Sequence, residues 1–193
     1  MKLAIVDLGY GNVGSIAVAF ERFGVAADVT DDAEKIAAAD KVVLPGVGAA
    51  GHAMAEIEAR GLAGTLRGLE QPLLGICLGM QLLFEASEED GTACLGLIPG
   101  RVHALQPAEG RPVPHMGWSR LTVRDESLGL RDGDYVYFAH SFACNPGPET
   151  AASADYGREI PAAVRSGNRI GAQFHPERSS EPGARFLKAF LDL

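Results

Sequence analysis

Apolar positions in the first half of the chain follow two alternating rhythms. Leu3-Ala4-Ile5-Val6 is a short unbroken apolar run that ends at Asp7 and a glycine loop, the pattern of a strand buried on both faces of a parallel sheet. Over residues 12–23 the apolar positions Val13, Ile16, Ala17, Phe20 and Phe23 recur at helical spacing, and Gly24 closes the segment. Val25–Val29 predicts a second strand and Asp31–Ala39 a second helix. Lys41-Val42-Val43-Leu44 predicts a third strand, cut off by Pro45-Gly46. Residues 51–69 read as a helix, and Pro72-Leu73-Leu74-Gly75-Ile76 as a fourth strand passing directly into a helix over 78–86. Strand–helix alternation of this kind implies right-handed crossovers and a mostly parallel central sheet flanked by helices, an α/β fold.

After about residue 95 the texture changes. Short β-like runs at 101–105, 119–124, 134–138, 150–154 and 162–165 are separated by Gly, Pro and Asp turns, and predict antiparallel additions to the sheet in the C-terminal half. Residues 170–174 read as a late strand and 182–192 as a closing helix. With no linker, repeat or low-complexity tract, residues 1–193 are expected to form one domain.

Composition narrows the function classes. A chain of 193 residues, 47% hydrophobic and 22% charged, has the material for a core of its own and excludes wholesale disorder. Its 25 Asp+Glu against 17 Lys+Arg give a net charge of −8, which offers no field to gather phosphate backbones; nucleic acid is not an expected partner. No run approaches the roughly 18 apolar residues of a membrane span, and the start reaches Asp7 and glycines too soon for a signal peptide. Cys77, Cys94 and Cys144 are odd in number and lack metal-like spacing, so neither a disulfide framework nor a zinc site is suggested, and nothing elsewhere in the chain implies a metal or an organic cofactor. The expectation is a reduced, cytoplasmic protein with no membrane contact.

Two glycine motifs compete for the chemistry. Gly9-Tyr10-Gly11-Asn12-Val13-Gly14 matches G-x-G-x-x-G, follows a strand and opens a helix, and Asp28 lies near the end of the next strand where a ribose-binding acid would sit. Against a dinucleotide site, the chain is short for a nucleotide domain plus a substrate domain, and nothing later supplies a second mononucleotide half. Three glycines in a tight turn also serve close packing alone.

The second motif is Gly75-Ile76-Cys77-Leu78-Gly79, a G-x-nucleophile-x-G sequence at a strand-to-helix break. Such a turn is sharp, and a Cβ at either flanking position would collide with neighbouring backbone. It lifts the thiol above the sheet and sets it at a helix N-terminus, where the dipole favours the thiolate that attacks carbonyls. A nucleophile needs a base and the base an orienting group. Phe174-His175-Pro176-Glu177 follows the late strand, so His175 is the candidate acid–base and Glu177 the carboxylate that holds its ring. His52, His103, His115 and His140 read as structural. Pro45-Gly46-Val47-Gly48, after the third strand, is placed to offer backbone N–H groups that join that of Leu78 in an oxyanion hole; Val47, Gly48 and Leu78 are the candidates.

At these residues the sequence resembles the class I (triad) glutamine amidotransferases, through Gly75-Ile76-Cys77-Leu78-Gly79-Met80-Gln81 and Phe174-His175-Pro176-Glu177. Within them it resembles the family of glutaminase subunits of imidazole glycerol phosphate synthase, through Asp7-Leu8-Gly9-Tyr10-Gly11-Asn12, Pro45-Gly46-Val47-Gly48, Leu95-Gly96-Leu97-Ile98-Pro99-Gly100 and Pro114-His115-Met116-Gly117-Trp118. The resemblance implies hydrolysis of glutamine to glutamate and ammonia through a thioester on Cys77. It further implies a heterodimer with a (β/α)8-barrel cyclase subunit that receives the ammonia through a dry tunnel, with low activity until the cyclase binds its nucleotide. Carried over by position, Gln81 and Glu89 would hold the glutamine head group and the backbone around Ser141 and Phe142 its carboxylate. Asn12, Trp118, Tyr137 and Arg178 would face the cyclase; Trp118, the only Trp, sits in a loop poor in charge, as an interface anchor or equally a core filler would. The chain departs from the family pattern at Ser119, Phe142 and Arg178, where Asn, Tyr and Lys are usual.

Overall fold

The computed structural model describes residues 1–193. Thirteen strands and six α-helices follow in the order β1 (Leu3–Val6), α1 (Val13–Glu21), β2 (Ala27–Thr30), α2 (Ala33–Ala37), β3 (Lys41–Leu44), α3 (Ala50–Ala59), α4 (Leu62–Gly68), β4 (Leu73–Ile76), α5 (Leu78–Leu82), β5 (Ala86–Ser87), β6 (Thr92–Ala93), β7 (Arg101–Ala104), β8 (His115–Val123), β9 (Tyr135–His140), β10 (Phe142–Cys144), β11 (Thr150–Asp155), β12 (Glu159–Ser166), β13 (Arg169–Ala172) and α6 (Ser180–Leu191). The main sheet has the strand order β2-β1-β3-β4-β13-β12-β11-β8-β9. Its first five strands are parallel and the last four antiparallel, as the change of texture near residue 95 predicts.

The parallel strands are apolar throughout because they are covered twice. Leu3, Ile5, Val43, Leu74 and Ile76 point to the side of α1 and α6, where Phe20, Phe186 and Phe190 fill the layer. Ala4, Val6, Val42, Leu44 and Leu73 point to the other side, against Ile36, Met54, Ile57, Leu62 and Leu66 of α2, α3 and α4. No helix is long and apolar enough to cross a membrane.

Several boundaries depart from the sequence reading. The helix expected over 51–69 is two, broken at Gly61, whose φ of +69° is left-handed backbone that glycine tolerates. The helix expected over 78–86 stops at Leu82, since Ala86 and Ser87 pair instead with Arg101 and Val102. That pairing belongs to a separate four-stranded sheet, β10-β7-β5-β6, so the run at 101–105 does not extend the main sheet. Two features of the topology prepare a site at one end of the main sheet. Chain order reverses between β1 and β3, which opens a crevice at their C-terminal ends. Beside it, β13 pairs with β4 in a register that sets Ala172 against Ile76.

Candidate active site

The β13–β4 register delivers two distant parts of the sequence to one place. Cys77 lies one residue beyond Ile76 and His175 three beyond Ala172, so both emerge at neighbouring strand ends. Cys77 has φ 54° and ψ −112°, conformational space that few L-residues enter, and heads α5. The glycines around it are required by contact. A Cβ on Gly75 would lie 2.5 Å from the Gly79 carbonyl oxygen, and one on Gly79 would lie 1.9 Å from the Leu44 carbonyl oxygen. A Cβ on Gly46 would meet the Gly79 nitrogen at 2.5 Å, so the Pro45–Gly48 loop is packed directly against the Leu78–Gly79 turn.

His175 Nδ1 lies 2.9 Å from Glu177 Oε1, and the Glu177 side chain is almost wholly buried. The turn that carries both is pinned to β9. The His175 N–H donates to the Tyr137 carbonyl (2.9 Å), the Ser179 hydroxyl donates to the His175 carbonyl (2.7 Å), and the Tyr137 N–H donates to Ser179 Oγ (2.9 Å). Burial, the largest single influence on His175, favours its neutral ring. The hydrogen bond with Cys77, that with Glu177 and the charges of both together outweigh it and raise the ring to about 10. Cys77 Sγ also points towards the Ala139 carbonyl oxygen at 3.8 Å and receives the Gln173 amide at 3.8 Å. A strongly basic imidazole beside a thiol suits a relay in which the ring takes a proton and later gives it to a leaving group. Burial pushes Cys94 up to about 11 and Cys144 up to about 12, so neither is a thiolate at neutral pH.

A cavity of about 390 Å³ opens on the thiol. Cys77, Leu78 and His175 line it on one side and Val47 and Gly48 on another; Gly48 has φ +86°. Gln81, Glu89, Ser141 and Phe142 also line it, as do Asn12 and Arg178. Gln81 is buried, its amide donating to the Phe142 carbonyl (2.8 Å) and to Gln173 Oε1 (3.0 Å). Glu89 Oε2 accepts from the Ala50 N–H at 2.7 Å, at the start of α3. Glu177, Trp118 and Tyr137 lie outside the lining: Glu177 behind His175, and the other two together, with the Trp118 and Tyr137 rings 6.0 Å apart edge to face and the Arg178 guanidinium 5.7 Å from the Tyr137 ring. Trp118 is 50% and Met116 63% exposed.

Three buried groups here are not singled out by the sequence. Gln173 is legible in principle, as the one polar residue in the apolar run Ile170-Gly171-Ala172-Gln173-Phe174. His115 and His140, which read as structural, form a buried pair that ends at the cavity wall. The Gly9–Gly14 loop closes on itself through a Gly9 N–H to Asp7 Oδ1 bond of 2.8 Å, and Asp28 faces Lys35 at 3.7 Å.

A profile of the family described as Glutamine amidotransferase class-I matches residues 4–193. The imidazole glycerol phosphate synthase subunit HisH of Xanthomonas campestris pv. campestris (strain 8004) is 50% identical over 194 residues, covering 99% of this chain and 97% of that one. The subunit HisH 1 of Vibrio vulnificus (strain YJ016) is 45% identical over 201 residues, covering 100% and 98%. Among solved structures, a glutamine amidotransferase superimposes with a TM-score of 0.79 at 22% identity, covering 100% of this chain and 98% of that one. Another, from Thermotoga maritima, does so with a TM-score of 0.68 at 16% identity, covering 100% and 83%. At those identities the superpositions speak to the fold.

Proposed function

The chain belongs to the class I glutamine amidotransferases, and from that premise we infer that it is the glutaminase subunit of an imidazole glycerol phosphate synthase, acting in histidine biosynthesis. The observation that carries the chemistry is the convergence of Cys77, on its strained turn, with the Glu177-held His175 at the end of β13. On this reading residues 1–193 work as one amidotransferase domain.

The Cys77 thiolate attacks the γ-carbonyl of glutamine, and the carbonyl oxygen takes the negative charge. The N–H of Leu78 and an N–H of the Val47–Gly48 segment stabilise it. As the tetrahedral intermediate collapses, His175 gives its proton to the departing amine, leaving ammonia and a γ-glutamyl thioester on Cys77. Water then adds to the thioester with His175 taking its proton, and glutamate leaves as the thiolate is restored. Glu177 keeps the ring turned to the thiol and balances its charge. Gln81, Glu89 and the Ser141–Phe142 backbone hold the head group and carboxylate of the substrate.

The ammonia passes to a partner subunit, for which a (β/α)8-barrel cyclase is the expected form, in a heterodimer closed over Asn12, Trp118, Tyr137 and Arg178. Supporting this face are the exposed Met116 and Trp118 beside the cavity. Seating of that partner would turn the Gly46–Gly48 segment so that its N–H meets the oxyanion.

The test is a bypass. In the complex with its synthase partner, Cys77→Ala should abolish product formation from glutamine, by at least about a thousandfold, while ammonium salts still drive it. Retained glutamine-dependent synthesis in that variant would overturn the thioester.

A further inference from the structure

A second buried polar cluster lies between β8 and β9. His115 and His140 face each other in the β8–β9 ladder and are 3% and 5% exposed. His115 Nδ1 is 3.0 Å from His140 Nε2, His115 Nε2 is 2.9 Å from Ser119 Oγ, and His140 Nδ1 is 2.8 Å from the Phe142 carbonyl oxygen. A carbonyl oxygen only accepts, so His140 carries its proton on Nδ1 and its Nε2 is an acceptor. His115 must then donate from Nδ1, which leaves its Nε2 to accept from the Ser119 hydroxyl. With both rings neutral, this pair of tautomers satisfies all four ring nitrogens. Burial lowers both rings to about 4, so they are neutral at physiological pH. His115 is also stacked between Phe138 and Tyr156, with centroids 4.8 and 3.9 Å away. Gly117 brings no side chain between His115 and Ser119 on their shared face of β8.

This ordered chain ends at the wall of the cavity. The Phe142 carbonyl takes its second hydrogen bond from Gln81, which donates on to Gln173, which reaches the Cys77 thiol. The Ser141 carbonyl is held by the Leu105 N–H at 2.8 Å. The 140–142 segment is therefore fixed by its own strand neighbours, by α5 and by the histidine pair. Both nitrogens of His140 are engaged, so it has none left for a substrate.

We propose that His115 and His140 are positioning residues for glutamine, which fix the Ser141–Phe142 wall through the proton order of their two rings before substrate arrives. The proposal rests on the glutaminase reading above. A wall set in advance spares substrate binding the cost of ordering it, and acts alike on bound substrate and transition state. Its loss therefore weakens KM more than kcat.

Glutaminase kinetics of the complete complex test this. His115→Leu keeps apolar bulk but removes the donor to His140. It should raise KM for glutamine about tenfold, the worth of about one hydrogen bond, with kcat within about threefold. His115→Asn presents an amide N–H where Nδ1 stood and should recover most of the loss, while Ser119→Ala should shift KM by about twofold. Nitrogen-15 imidazole spectra of the unsubstituted chain, which need no variant to fold, should show both rings neutral and protonated on Nδ1. An unchanged KM in folded His115→Leu, a kcat loss at constant KM, an Asn variant no better than Leu, or an Nε2-protonated ring would each overturn the proposal. Wild-type complex that releases no glutamate would instead overturn the glutaminase reading and the proposal with it.

Discussion

At Cys77 a backbone with φ of +54° is held because three glycines let β3, β4 and α5 close around it. Gly79 is the tightest of them, its absent Cβ standing 1.9 Å from the Leu44 carbonyl oxygen, a backbone atom that has no rotamer to escape into. Gly79→Ala should therefore destabilise the fold by about 3 kcal/mol, the upper part of the overpacking range, read as a lowered urea midpoint. An unchanged midpoint would mean that β3 and α5 slide apart freely. These glycines and the candidate nucleophile Cys77 are legible because a sharp strand-to-helix turn demands them of the local sequence. The contacts of Gln173, His115 and His140 are not, although Gln173 interrupts an apolar run and His115 sits in a motif of its own. What each side chain meets is decided by the pairing of β13 with β4 and of β8 with β9.

Elements explain why the site joins a turn pinned along its length to a loop packed at one end only. His175 and Glu177 ride a turn pinned to β9 through Tyr137 and Ser179. The Pro45–Gly48 loop is firm at Gly46, wedged against α5, and open at Gly48, where a Cβ would meet nothing within 4 Å. A bulky residue at Gly48 has space but not the backbone: φ of +86° disfavours a β-branched side chain. Gly48→Val should lower partner-stimulated turnover about a hundredfold, as loss of an oxyanion donor does, with glutamine KM within about threefold. Equal stimulated turnover would remove the loop from the oxyanion hole. The parallel strands are the most legible elements, being unbroken apolar runs. The sequence pattern of β8 begins only at 119 because Pro114-His115-Met116-Gly117-Trp118 has no clean alternation, and β10 is invisible to it because three residues carry no period. Gly61 does not stand out in the 51–69 segment because one glycine breaks a helix only where packing lets the next helix turn away.

Across the whole molecule, two of the large exposed apolar residues, Val47 and Met116, border the thiol cavity. Met116 lines the cavity and is also 63% exposed, and Val47 of the Pro45–Gly48 loop is 36% exposed. A partner seated there would cover the cavity, touch the loop and receive the product at its source. Ammonia released to water is protonated and ceases to be a nucleophile, so delivery across a covered face is the chemically economical arrangement. The most direct measurement is glutamate release from glutamine by this chain in complex with its synthase partner and that partner's nucleotide ligand, with Cys77→Ala beside it. Ligand-stimulated release that vanishes in Cys77→Ala is the predicted result; release that persists without the thiol would contradict the account.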